Sequence, residues 1–347
     1  MFIQSAGMVC ASGFDVASAC AAMRASIARF EELPYLDSQG EAIIGACVPE
    51  LDSKLDRPER LVEMLSVALA DCLAGVAKLQ TEKVPLLVGL AEPERPGGGA
   101  DLGITLLTRI QDKLGLKFHP KLSRAIASGH TSGFDGLRFA RELLRSPQIP
   151  YCLVCATDSY LHADSLRWLE QAQRLKTPSH SDGIIPGEAA AALLISAARG
   201  ERTAEILGLG FGEEKSSILS EKPLLGLGLT DAVRDALSDA GLQLHHMNCR
   251  FSDVTGEQYG FKEQSLMVSR LLRQRPRELP IIHAADRIGD TGAAAGLIHL
   301  IMARQGFLKG YGPGTRAIAC GSAVGGARAA AVIQSEIHGK PGAGSSA

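Results

Sequence analysis

Aromatic side chains are scarce here. They make up 5% of 347 residues, with a single tryptophan at Trp168. Glycine is abundant instead, at 38 residues. Small residues let helices and sheets approach closely, which suits a layered α/β protein. No run of about 18 apolar residues occurs, so no transmembrane helix is expected. Neither sign of charge dominates: 36 basic residues face 38 acidic ones, for a net charge of -2. No basic face is implied, and nucleic acid is excluded as a partner. The start, Met1-Phe-Ile-Gln-Ser-Ala-Gly7, lacks the basic region and apolar run of a signal peptide. The eight cysteines are dispersed apart from Cys152 and Cys155, which sit in the apolar run 149–156. On a strand, positions i and i+3 point to opposite faces, so these two read as small buried residues rather than a redox or zinc pair. Without a disulfide framework, a reducing, cytoplasmic compartment is expected.

What is present is an alternation of strands and helices. Residues 59–77 place Leu61, Met64, Leu65, Ala68, Leu69, Cys72, Leu73 and Val76 on one helix face. Residues 85–90, 149–156 and 189–196 are apolar without alternation, as strands covered on both faces are. Residues 131–145 read as a helix. A boundary falls near 198–203, after which the pattern restarts: strand 204–210, helix 230–241, strand 279–283, helix 291–305, and strands 316–320 and 329–333. This predicts halves at 1–200 and 201–336, and a disordered tail at 337–347. The duplication rests on element order, because no sequence repeat is visible.

Five glycine-rich segments punctuate this pattern: Ser128-Gly-His-Thr-Ser-Gly133, Ser181-Asp-Gly-Ile-Ile-Pro-Gly-Glu188, Asp253-Val-Thr-Gly256, Gly289-Asp-Thr-Gly-Ala-Ala-Ala-Gly296 and Gly321-Ser-Ala-Val-Gly-Gly326. In order and spacing the set resembles the β-ketoacyl synthase branch of the thiolase-like superfamily, over nearly the whole chain. The resemblance implies a thiolase-like five-layer αβαβα fold with two pseudo-symmetric halves. It also implies a homodimer, or a heterodimer with a related subunit, and an acyl thioester of CoA or acyl carrier protein as ligand. No cofactor is implied.

The resemblance also marks where this sequence departs from the family. The family's nucleophilic cysteine falls on His130. Its two catalytic histidines fall on Asp253 and Asp290, its lysine on Ala285, and the gating aromatic of its late glycine loop on Val324, before Gly325 and Gly326. A condensing enzyme needs a thiolate to carry the acyl group and hydrogen-bond donors for the enolate oxygen. An imidazole holds no stable thioester, and ionised carboxylates donate no hydrogen bonds.

Three readings stay open. The chain is a binding, dimer-partner or adaptor scaffold that has lost condensing activity; family members without catalytic residues also occur beside secretion-system effectors, which adds an effector or adaptor partner. Alternatively, His130 with Asp253 and Asp290 forms a new acid–base site for acyl-thioester hydrolysis or acyl transfer. The third reading places a divalent metal on one histidine and two carboxylates, assisted by Asp286 or His283, although no local metal motif supports it. Asp182 and Glu188 read as structural carboxylates. His245 and His246, beside Met247, read as an exposed loop, and Trp168 reads as packing at a dimer interface or pocket entrance.

Overall fold

The computed structural model describes residues 1–52, 55–76, 79–97, 102–200, 203–276 and 278–335. The predicted tail lies outside the described residues.

Apolar segments of β-branched residues, leucine and alanine form the strands. The first half contributes β1 (Phe2–Cys10), β4 (Leu86–Leu90), β5 (Arg124–Ala127), β6 (Tyr151–Ser159) and β7 (Glu188–Ser196). The second contributes β8 (Ala204–Glu213), β9 (Cys249–Ser252), β10 (Ile281–Ile282), β11 (Arg316–Ser322) and β12 (Ala327–Ser335). From the middle outward, the first five run β1-β7-β6-β4-β5 and the second five β8-β12-β11-β9-β10. Numbered within its own half, each set therefore follows the order 1-5-4-2-3. In each, the fifth strand is antiparallel to both neighbours and the outer three strands are parallel. The two sets join through a short antiparallel contact of Phe2 with Glu205 and Ile3 with Ala204. The repetition that sequence identity conceals is thus written in the strand order. A small hairpin of β2 (Glu31–Leu36) and β3 (Ala42–Gly45) stands apart.

Three apolar clusters define the layers. The central one joins α4 (Ser132–Leu143) and α9 (Ala295–Lys309) to the inner faces of both sheets, through Phe134, Leu137, Leu297 and Ile301 against Leu193, Ile195, Ala319 and Ala331. α1 (Val16–Arg24) packs at its edge. A second cluster covers the outer face of the first sheet with α2 (Arg57–Leu73) and α3 (Gly103–Leu114). A third covers the second sheet with α6 (Leu227–Asp239) and α7 (Gln258–Leu271). The order is helix, sheet, helix, sheet, helix: five layers. Each fully buried leucine or isoleucine contributes roughly 1.5–3 kcal/mol through this burial. The alanine runs of β7 and β12 keep the helices close to the strands. Cys152 belongs to the central cluster and Cys155 to the outer one, so the two thiols face opposite sides of β6.

α2 begins two residues earlier than its apolar face suggests, because Asp56 caps it at the Glu59 amide, 2.8 Å away. The predicted strand 279–283 shrinks to two residues at the sheet edge. The helix predicted at 291–305 starts as a 3₁₀ turn over Gly292–Ala294 and becomes α-helical at Ala295. α5 (Ala163–Gln171) carries the half-buried Trp168, and α8 (Ala285–Ile288) is a single turn.

Candidate functional site

The C-terminal end of β5 delivers the chain into a tight 3₁₀ turn, Gly129–Thr131, at the start of α4. Gly129 adopts φ +58°, and a Cβ there would collide with the Glu92 carboxylate. Only glycine fits both conditions. The turn buries His130 to 4% exposure.

Asp290 arrives from the other half of the chain, on the loop between α8 and α9. Its Oδ1 lies 2.8 Å from His130 Nε2 and also accepts the Gly292 amide at 2.9 Å. Burial alone would disfavour the imidazolium, but the neighbouring carboxylates, Asp290 foremost, lift its pKa to about 9. Burial works in the opposite direction on Asp290, and the charge and hydrogen bond of His130 hold that carboxyl below the usual range. The pair is therefore ionic near neutrality. His130 Nδ1 is buried without a hydrogen-bond partner.

Asp253 follows β9, and its Oδ2 accepts the Ser322 amide at 2.6 Å. Burial pushes its pKa up to about 6, against the lowering pull of His130. His130, Asp253, Asp290 and Val324 line one cavity of about 50 Å³. Gly325, Gly326 and Ala285 are not among its lining residues. Gly326, at φ +111°, shapes the β11–β12 turn, while Ala285 opens α8.

Charge pairs that sequence reasoning did not anticipate complete the wall. Arg174 grips Glu257 through two bonds of 2.8 Å, and Arg328 bonds Glu263 at 2.8 Å and the Tyr259 hydroxyl at 3.0 Å. The partners lie 83, 65 and 69 residues apart, so no local spacing announces them. Trp168 stands behind this wall, its ring 5.8 Å from the Arg174 guanidinium. Behind His130, Glu92 is buried with both carboxylate oxygens lacking a hydrogen-bond partner. On α9, His299 is pushed down to about 3, first by burial and then by the neighbouring imidazoles of His283 and His130.

Asp182 and Glu188 hold backbone and neighbouring side chains in place. Asp182 accepts the Gln258 amide at 2.7 Å, at the start of α7. Glu188 accepts the Val48 amide at 2.9 Å, the Ser159 hydroxyl at 2.9 Å and the Arg60 guanidinium. His246 is exposed in a turn, its Nδ1 accepting the Gln243 amide at 3.1 Å, while Met247 beside it is buried. Asp286 and His283, weighed as helpers in a metal site with His130, line a different cavity. Among the described residues no three histidine, cysteine, aspartate or glutamate side chains are placed to hold a metal ion. No helix among the described residues is long and apolar enough to cross a membrane.

No cysteine is among the residues lining the His130 cavity. Seven of the eight cysteines are buried and Cys47 is half-buried. Burial raises every one, to about 11 at Cys10, to about 12 at Cys47 and Cys320, and well above the ordinary thiol range at Cys155.

No protein-family model and no curated protein matches the sequence. Solved structures do match, across nearly the full length. The ishigamide ketosynthase/chain length factor superposes with a TM-score of 0.79 at 16% identity, covering 96% of this chain and 98% of that one. A ketosynthase in complex with its chain length factor from Xenorhabdus doucetiae gives 0.74 at 14% identity, over 96% and 97%. A β-ketoacyl synthase from Burkholderia phymatum gives 0.74 at 17% identity, over 96% and 99%. The chain has the thiolase-like fold of ketosynthases and chain length factors.

Proposed function

We propose that this chain is a ketosynthase-fold scaffold without condensing chemistry, which pairs with a second copy or a related subunit and presents a surface to an acyl thioester or its carrier protein. One observation carries the reading. At the turn where a thiol nucleophile would stand, His130 is tied to Asp290 at 2.8 Å inside a cavity of about 50 Å³. Ligand pockets run from about 300 Å³ upward, so this space suits a water or two and not an acyl chain. Two carboxylates replace the donors an enolate needs, and no cysteine is poised as a thiolate. The neighbours include a ketosynthase in complex with its chain length factor and one in complex with an acyl carrier protein, which supports pairing and carrier contact as roles for this fold. Eight unpaired cysteines suit a reducing cytoplasm.

The test is thioester turnover. The purified protein, His130→Ala and His130→Gln are each incubated with short- and long-chain thioesters of CoA and acyl carrier protein, and free thiol is followed. The scaffold role predicts no release above that of the two variants, together with a dimer by analytical ultracentrifugation, alone or after mixing with a ketosynthase partner. Release lost in both variants overturns it.

A second reading, acyl-thioester hydrolysis or acyl transfer through His130 with Asp253 and Asp290, is favoured by the unpartnered Nδ1. Nδ1 would attack the thioester carbon and expel the thiolate, and water or an acceptor would then take the acyl group from the labile acyl-imidazole. Because His130 is held as the imidazolium up to about pH 9, this activity would climb toward that pH rather than peak near 7.

A further inference from the structure

A largely apolar cavity shares no lining residue with the one around His130. It occupies 330 Å³ between α1, the sheet edge at β9 and β10, and the C-terminal half of α9. Its floor is apolar and buried, with Cys249 2%, Phe251 5% and Ala303 2% exposed. Met23, Ile282, Met302 and Phe307 form the walls. Methionine and unbranched rims of this kind adapt to flexible guests. At roughly 30 Å³ per water-sized group, the space accommodates about ten heavy atoms.

The rim is cationic. Arg24 is exposed at the end of α1 and packs its guanidinium 4.9 Å from the Tyr311 ring, with no acidic partner among the described residues. Arg287 bonds Asp286 at 2.7 Å through one amino group, while its Nε stays buried and unpartnered. His283 Nδ1 is likewise buried without a hydrogen bond, 3.8 Å from Asp286. Asp286 is thus neutralised by Arg287, and Arg24 is left as surplus positive charge beside unfilled donors. An apolar well under a positive rim complements an amphiphile with an apolar tail and an anionic head.

We propose that this cavity binds a medium-length aliphatic carboxylate, tail against Phe251, Met302 and Phe307, head at Arg24. The site is separate from the His130 cavity and does not depend on the role assigned to it.

Isothermal titration of the full chain with a ladder from hexanoate to decanoate, beside the matching alkanols, tests this. Each methylene is expected to tighten binding about fourfold, levelling off near ten heavy atoms. Arg24→Ala, a surface change, weakens the carboxylates three- to fivefold and leaves the alkanols alone. Met302→Ala moves the plateau to longer chains, and Ala303→Phe abolishes binding. No binding at any length, or binding untouched by Arg24→Ala and Met302→Ala, overturns the proposal. So does a stoichiometry well above one, which marks surface adsorption.

Discussion

His130 and Asp290 lie 160 residues apart and meet at 2.8 Å, one carried by the turn before α4 and the other by the loop before α9. These two helices form the central layer, so the bond joins the halves of the molecule at its middle. That bond makes stability depend on pH in a definite direction.

With its folded pKa raised to about 9 from the ordinary 6.5, His130 stabilises fully below pH 6.5, and its contribution drains away as pH rises to 9. The amplitude is up to about 3 kcal/mol. Asp290, held low, contributes above about 3.8 and loses its contribution as pH falls further. Between 3.8 and 6.5 the raised Asp253 and the depressed His299 act in opposite directions: stability falls with pH through the first and rises with pH through the second. The diagnostic window is therefore 6.5–9. Thermal melts of the parent should lose stability across it, and His130→Gln should melt flat there. A parent whose Tm holds or rises from pH 6.5 to 9 contradicts the ion pair.

The thiols give a second, simple test. With all eight raised by burial, the folded protein should resist iodoacetamide at pH 7.5, and unfolding in guanidinium should release every cysteine to label. Rapid uptake of one equivalent by the native chain, located by peptide mapping, would reveal a thiolate nucleophile and sink the scaffold reading.

Much of the layout was legible because buried strands and helix faces write themselves in apolar periodicity: 189–196 against β7, 316–320 against β11. The glycine segments were legible for a harder physical reason. Gly129 and Gly187 sit where backbone or a carboxylate leaves no room for a Cβ, so glycine there is a steric requirement. The same logic led from glycine spacing to His130 and Asp290. What stayed hidden were charge pairs such as Arg174 with Glu257 and Arg328 with Glu263, whose partners are set by tertiary proximity alone. The hairpin β2–β3, the edge strand β5 and the short helices also passed unseen, since each is too brief to show a period.

The Arg174–Glu257 pair should prove costly to break and cheap to replace. Arg174→Ala leaves a carboxylate buried at 8% exposure without its partner and should cost roughly 3–5 kcal/mol. The double variant Arg174→Met with Glu257→Leu should recover most of that loss. Denaturant unfolding of Arg174→Met, Glu257→Leu and the double closes the cycle. Singles within about 0.5 kcal/mol of the parent, as for surface changes, would show the pair to be solvated.

Gly187 offers the most local test of how the centre is held. Its amide donates to the Asp290 carbonyl at 2.9 Å, its carbonyl accepts the Tyr160 amide at 3.1 Å, and a Cβ would meet the Ile288 carbonyl oxygen. The loop carrying Asp290 is thus pressed directly against the entry to β7. Gly187→Ala must push that loop away, at about 1–3 kcal/mol for overpacking. Because the displaced residue is the one that raises His130, the variant should also lose part of the pH 6.5–9 slope, whereas a purely global destabilisation would lower Tm equally at both ends. Parallel melting profiles for Gly187→Ala and the parent would mean that Asp290 keeps its place, and that the close contact yields elsewhere in the chain.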